Sequence, residues 1–279
     1  MPLSIVSNIA SLAAQRQVNK TQAHLNKNMM RLSTGLRINS ASDDSAGLAI
    51  SERSRAQIRS LAQAERNGED GISMLQVAEG GMMEVHGILS RMRELAVQSA
   101  NDTNSASNRD YLQGELQELL DEISRIGLVT TFNGVELLYG NHPSDLDFQI
   151  GINSSPNDQI TVAPGDIDIS PSELWISTPP DISESGDPHA AIEEIDHAIN
   201  WVSTTRANIG AAQNRMEVAV HNLGNMREAL AAADSRIRDA DVAEETAGMT
   251  RNSILMQSGV AVLAQANQHP SVALSLLSN

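Results

Sequence analysis

The sequence predicts a mainly α protein: a long antiparallel helical bundle or coiled-coil rod with a small β-hairpin region. Three observations predict it. First, apolar residues recur at steps of three and four from Ile192 to Ile237, and ten of the fourteen seam positions are apolar: Ile192, Ile195, Ile199, Val202, Ile209, Met216, Val220, Leu223, Leu230 and Ile237. Arg206, Gln213, Arg227 and Asp234 break the seam, and no proline interrupts it. At about 1.5 Å per residue such a helix is about 70 Å long, and a rod buries its stripe only against other rods. Second, seams of the same period run through 61–99 and 112–126. Third, an aromatic content of 2% beside 11 Met leaves too few large side chains for an ordinary globular core and suits aliphatic seams between helices.

Composition also excludes function classes. The chain has no Cys, so disulfide frameworks, thiolate metal sites and thiol chemistry are ruled out. Nineteen Lys and Arg against 35 Asp and Glu give a net charge of -16, a field that repels nucleic acid and anionic membranes. Arg16 is the first basic residue, no Ala-x-Ala site follows an apolar run, and classical secretion is therefore not expected. The apolar stretch Ile254–Ala266 is interrupted by Gln257, Ser258 and Gly259, and falls short of the roughly 20 residues that a membrane span needs.

Taken in order, residues 1–36 carry two short seams, Ile5-Ile9-Leu12 and Val18-Leu25-Met29-Leu32-Leu36, with a phase shift between them. Such short amphipathic segments gain most of their stability from packing, so the first is a marginal helix on its own. Gly35 and the cluster Asn39-Ser40-Ala41-Ser42-Asp43-Asp44 mark a helix end, a turn and a new start, with Asp43 and Asp44 placed to cap the next helix. Residues 61–99 form a long helix with two seams, Ile72-Leu75-Met82-Leu89-Ala96 and Met74-Val85-Ile88-Met92-Leu95, and so touch more than one neighbour. After the polar loop 101–108, Ser107 and Asp110 have capping-box spacing, and Leu112, Leu116, Leu119, Ile123 and Ile126 complete an antiparallel helical hairpin.

Seven of the nine prolines fall between Pro143 and Pro188, which precludes a long helix there. Alternation at Leu146, Phe148, Ile150 and Ile152, then at Ile160 and Val162, predicts a β-hairpin, with further short strands around Ile167–Ile169 and Leu174–Ile176. Beyond Asp239 a second amphipathic stretch runs through Ile254, Leu255, Val262 and Leu263; Pro270 limits or kinks it, and Leu274, Leu276 and Leu277 leave the C-terminus apolar. Both chain ends need partners.

Catalytic signatures are missing: there is no phosphate-binding loop, dinucleotide fingerprint, nucleophile elbow or His-Glu-x-x-His. Gly68, Gly71, Gly80 and Gly81 sit within a helical seam rather than after a strand. His189, Glu193 and His197 share a helical face, but the outer pair lies about 12 Å apart along the axis, too far for one ion, and reads as a solvated face. No enzymatic activity, cofactor or metal is predicted.

The stretch Leu32–Glu52, the run Arg91-Met92-Arg93-Glu94-Leu95-Ala96-Val97-Gln98-Ser99-Ala100-Asn101, the tetrapeptide Thr131-Phe132-Asn133-Gly134, and the C-terminal runs 233–245 and 263–268 closely resemble bacterial flagellin. The resemblance covers roughly 1–140 and 190–279. It implies a subunit that self-associates into the extracellular flagellar filament for swimming. It also implies export as an unfolded chain through the flagellar type III apparatus, with an export chaperone, the export gate, and filament cap and junction proteins as further partners, and with no membrane insertion. Few aromatics and no Cys suit such a passage.

In that family the N- and C-terminal helices pair and line the filament channel. By resemblance, 1–43 with 239–279 form the terminal domain, 44–139 with 188–238 the helical rod, and 140–187 a short acidic β/turn-rich insert belonging to the rod, so the chain is a minimal flagellin without a full outer domain. The expected polymerisation residues are Ile5, Ile9, Leu12, Leu25, Met29, Leu32, Ile254, Leu255, Val262, Leu263, Leu274 and Leu277. Arg91, Leu95 and Glu115 align with the positions that Toll-like receptor 5 recognises, although an ordinary helix surface explains them equally well. The alternatives are a hook-filament junction protein and a soluble coiled-coil adaptor.

Overall fold

A computed structural model describes residues 8–139, 145–163, 167–170, 173–174, 176, 180–183 and 186–277, with side chains as far as residue 268. The chain runs α1 (Ile9–Thr34), α2 (Ser45–Ser99), α3 (Ala106–Val129), β1 (Thr131–Phe132), β2 (Val135–Glu136), β3 (Leu146–Gln149), β4 (Gln159–Val162), α4 (Pro188–Arg238) and α5 (Val242–Leu277). It is mainly α, with two small antiparallel hairpins. Two compact units result, Met1–Ile58 with Ala229–Asn279 and Arg59–Glu228.

In the unit 59–228, α2 presents two columns of buried residues at seven-residue intervals. One is Leu61, Gly68, Leu75, Met82, Leu89 and Ala96; the other is Ala64, Gly71, Ala78, Val85, Met92 and Ser99. This is a heptad seam, and α4 answers with Ile195, Val202, Ile209, Met216 and Leu223 at the same interval, all buried. Three of the predicted breaks in the α4 seam are polar contacts to α2. Arg206 and Gln213 both reach Glu79, and Arg227 reaches Glu65 at 2.5 Å. From α3, Leu116, Leu120, Ile123 and Ile126 complete the core, with Leu112 and Leu119 packed at its margin.

The hairpin β3–β4 pairs Leu146 with Val162 and Phe148 with Ile160, as the alternation predicts. It packs where α2 has glycines in its seam: a Cβ on Gly71 would lie 2.7 Å from Phe148 Cδ1 and 3.1 Å from Met216 Sδ, and one on Gly68 would lie 2.6 Å from Val220 Cγ2. These glycines are therefore notches that admit neighbouring side chains, which explains their place in a helical seam.

Three expectations need correction here, and one element was not expected. Ser105, not Ser107, caps α3: its backbone is still extended (φ -73, ψ 160), and its hydroxyl accepts from Asn108 N, so Ser107 and Asp110 already lie within the helix. Ile167–Ile169 and Leu174–Ile176 form no strand among the described residues. Ile167, Ile169, Leu174, Ile176 and Ile182 are instead buried in the core, held by isolated bonds such as Ile169 N to Leu138 O (2.9 Å). Gln113 and Ser99 act as a surrogate strand for the end of this segment. Ile182 N donates to Gln113 Oε1 at 2.8 Å, Gln113 Nε2 donates to Pro180 O at 3.2 Å, and Ser99 Oγ donates to Ile182 O at 2.5 Å. Pro270 does not end α5, which continues to Leu277. The carbonyl that a proline at 270 leaves without its helical donor is that of Ala266, and Asn8 Nδ2 donates to it at 2.8 Å. The unexpected element is the hairpin β1–β2. Asn133 (φ 50) and Gly134 (φ 81) make its two-residue turn, for which Asn-Gly is the strongest short-range signal.

Filling the notch at Gly71 tests this packing. Gly71→Val should destabilise the protein by about 1–3 kcal/mol through overpacking against Phe148 and Met216, whereas Gly80→Ala, with open space around its Cβ, should be neutral or slightly stabilising in thermal unfolding followed by circular dichroism.

Candidate functional site

The unit of Met1–Ile58 with Ala229–Asn279 brings the chain ends together. α1 and α5 run antiparallel, so that Ser11 Oγ donates to Asn267 Oδ1 (2.6 Å) at one end and Arg31 Nη1 meets Glu245 Oε1 (2.7 Å) at the other. Every third and fourth residue of α1 from Ser11 to Leu32 turns toward this seam: Ser11, Ala14, Val18, Thr21, Leu25, Asn28 and Leu32. On α5 the matching set is Glu245, Met249, Asn252, Met256, Gly259, Leu263 and Ala266. Small residues allow close approach, since a Cβ on Gly259 would lie 2.9 Å from Val18 Cγ2.

The two helices are inverted relative to an ordinary amphipathic pair. Their most protected positions are Thr21 (4% exposed), Glu245 (7%) and Ala266 (7%), whereas large aliphatic side chains lie outside. Of the residues expected to drive polymerisation, Ile9, Leu12, Met29, Ile254, Leu255 and Val262 are exposed, while Leu25, Leu32 and Leu263 are half-buried along the seam between the helices. Ile5 lies outside the described residues, as do the side chains of Leu274 and Leu277. The periodicity reading missed Met30, Val242 and Val260, which are also exposed. It missed as well the polar contacts of Asn28, Arg31 and Asn252 around Glu245, although polar residues at seam positions 28 and 252 were there to be seen. On α5 the outer face forms a shallow, largely apolar groove lined by Val242, Ala243, Thr246, Ala247, Ile254 and Leu255.

The turn between α1 and α2 divides the work of its two aspartates, which corrects the expectation that both cap α2. Asp44 alone caps α2, accepting from Ala46 N and Gly47 N. Asp43 folds back onto the turn, accepting from Asn39 N and Ser40 N, and pairs with Lys27 Nζ at 2.6 Å. The Lys27 bond, aided by the two backbone N–H groups, brings the Asp43 carboxyl down from 3.8 to about 2. The chain then crosses to the other terminus: Ala240 N donates to Gly35 O (2.9 Å) and Arg37 N to Arg238 O (2.7 Å).

In the unit 59–228, Arg91 donates to Glu115 Oε1 from Nε (3.1 Å) and Nη2 (2.8 Å), and to Glu94 from Nη1 (3.0 Å). Glu115, then Glu94, raises the already high pKa of the guanidinium. Leu95 is fully buried in the core, so the surface here consists of Arg91, Glu94 and Glu115 without it. His189, Glu193 and His197 are exposed on α4, and no metal-binding group of three occurs among the described residues. No described helix is long and apolar enough to cross a membrane.

Comparison with known proteins decides what this arrangement belongs to. Residues 5–142 match the bacterial flagellin N-terminal helical region and 192–277 the C-terminal helical region. The chain is 45% identical over 270 residues to a flagellin of Halalkalibacterium halodurans, covering 97% of this chain and 98% of that one. It is 42% identical to a flagellin of Bacillus subtilis, over 99% of this chain and all of the relative. It belongs to the bacterial flagellin family. The crystal structure of Bacillus cereus flagellin superposes with a TM-score of 0.50 at 30% identity, covering 57% of this chain and 88% of that one. Membership makes it a structural protein rather than an enzyme, of a family that self-polymerises into the extracellular flagellar filament.

The Asp43 pair has a measurable pH signature. Because the folded-state pKa lies below the unfolded one, its stabilisation is complete above about pH 4 and disappears as pH falls through about 2. Asp43→Asn should therefore cost about 1–2 kcal/mol at pH 5–8, and the difference from the unaltered chain should vanish near pH 2 in denaturant titrations.

Proposed function

We propose that this chain is a filament subunit whose copies join through the apolar outer faces of the α1–α5 pair, giving a propeller for swimming after export as an unfolded chain through the flagellar type III apparatus. The observation that carries this reading is the inversion of the pair. Ile9, Leu12, Ile254 and Val262 are each more than half exposed, an arrangement that water penalises and that further copies relieve. Burying the exposed part of one such side chain contributes about 1 kcal/mol, and the contributions repeat in every subunit. An export chaperone, the export gate, and cap and junction proteins are the partners expected along that route, with 1–43 and 239–279 lining the channel.

A second proposed role concerns Toll-like receptor 5. Arg91 and Glu115 offer a fixed, paired charge surface for it, so Arg91→Ala should weaken receptor signalling by the purified protein. Leu95→Ala is a poorer probe, since emptying a buried leucine costs about 2–5 kcal/mol of stability.

Seeded growth tests the main reading. Purified monomer added to filament fragments should give long filaments by electron microscopy, and Ile254→Ser with Leu255→Ser should lower the growth rate at least about ten-fold, a loss of about 1.4 kcal/mol, with helix content unchanged. Growth of the double variant at the unaltered rate would sink the assigned face; failure of the unaltered chain to extend seeds would sink the subunit reading.

A further inference from the structure

Among the described residues Glu245 is the one buried charge, and three polar groups converge on it or its neighbour. Arg31 Nη1 meets Oε1 at 2.7 Å, Asn28 Nδ2 donates to Oε2, and Asn252 Nδ2 donates to Asn28 Oδ1 at 2.8 Å. The fit is close, since a Cβ on Gly248 would lie 3.1 Å from Asn28 Nδ2. Arg31 reaches Glu245 through Nη1 alone, and its Nε is buried with no hydrogen-bond partner. Elsewhere the seam is small or aliphatic, as at Ala14, Val18, Leu25, Met256, Gly259 and Leu263, and discriminates little between one heptad register and the next.

A concentrated population of identical chains with apolar outer faces offers many wrong pairs. α5 laid against α5 in parallel brings Glu245 to Glu245, and α1 against α1 brings Arg31 to Arg31. A one-heptad slip of the native pair carries Glu245 from Arg31 to the level of His24 and Leu25. Each leaves a charge desolvated against a like charge or without its counter-ion, which costs far more than a lost aliphatic contact. A buried polar cluster of this kind gives up stability for a single register. The backbone bridge of Gly35 and Arg37 to Ala240 and Arg238 brings the helix ends near each other but leaves the identity of the facing residues to the side chains.

We propose that Asn28, Arg31, Glu245 and Asn252 are the specificity element of chain-end pairing: they select α5 of the same chain, in one register, as the partner of α1, and reject homotypic and slipped pairs. The proposal rests on the self-association reading for its purpose, since it is copies brought together by their outer faces that make wrong pairs costly.

Disulfide mapping tests it, because the chain has no cysteine of its own. Ser11→Cys with Asn267→Cys, whose side chains touch at 2.6 Å, reports the native register as an intrachain cross-link. Ser11→Cys with Val260→Cys reports a one-heptad slip, and interchain dimers report homotypic pairs. In the full-length chain, free and in seeded filaments, Arg31→Glu should lower the native cross-link about ten-fold or more, a conservative figure for breaking one partner of a buried pair. Arg31→Glu combined with Glu245→Arg should recover it to within about two-fold of the unaltered level. Replacing all four residues by Leu should keep the helices paired but raise the slipped and dimeric cross-links to the level of the native one. The proposal is overturned if the unaltered chain lacks the native cross-link, if the charge swap fails to recover it while helix content holds, or if the leucine variant stays in the native register alone. An unaltered chain that cross-links natively yet does not extend seeds would refute the subunit reading and leave the pairing specificity intact.

Discussion

Which side of each terminal helix faces its partner governs what α1 and α5 can do. An ordinary helical hairpin hides its aliphatic stripe and shows water its charges. In this pair Thr21 and Glu245 lie inside while Ile9, Leu12, Ile254, Leu255 and Val262 lie outside. The seam does carry Val18, Leu25, Met256 and Leu263, but only half-buried, so the pair leaves a large share of its aliphatic side chains facing outward. That is a poor design for an isolated helical hairpin and a good one for a subunit whose terminal helices gain much of their stability from neighbouring copies. The Arg31–Glu245 ion pair and the Asn28 and Asn252 bonds lie on that inner face, where the proposed choice of register would be made.

The unit 59–228 follows the opposite rule, and its core is closed. Seven-residue columns on α2 and α4 interlock, with Met82, Val85, Leu89, Met92, Ile195, Val202, Ile209 and Met216 almost without exposed surface. Gly68 and Gly71 interrupt the α2 columns, and a glycine in mid-helix costs roughly 1 kcal/mol against alanine. Close packing of the β3–β4 hairpin and α4 accounts for that cost, because Phe148 of the hairpin and Met216 of α4 occupy the space that a side chain at 71 would need, and Val220 of α4 that at 68. The acidic segment after β4 is a strap rather than an appendage. Its isoleucines at 167, 169, 176 and 182 sink into the core, and the amide of Gln113 holds its backbone as a neighbouring strand would.

Much of this was legible in the sequence because helical periodicity is local. The seams at 61–99, 112–126 and 192–237 needed no knowledge of what they face, and alternation placed β3 and β4. What could not be read depends on partners distant in the chain. The strap around Ile169 and Ile182 has the alternation of a strand but finds side-chain partners instead of a strand, and pattern cannot distinguish the two. Arg206, Gln213 and Arg227 looked like breaks in a seam, and only their carboxylate partners on α2 show that they belong to it. At the chain ends the apolar positions were visible, yet period alone does not say whether a stripe faces the partner helix or the solvent. Leu25 and Leu263 took the first course, Ile254 and Val262 the second.

Pro270 shows how the inverted pair satisfies its own backbone. A proline deep in a helix removes one donor and leaves the carbonyl four residues earlier without a bond, a loss that commonly ends the helix. In α5 that carbonyl belongs to Ala266, and the side chain that donates to it is Asn8, which at the same time accepts from Ser11 N as the N-cap of α1. One amide thus closes the start of the first helix and repairs the interruption in the last. The repair exists only while the two termini lie together, so continuity of α5 past Pro270 is coupled to pairing with α1. An unpaired α5 loses the repair while α1 keeps its local cap, which makes the part of α5 beyond Ala266 conditional on α1.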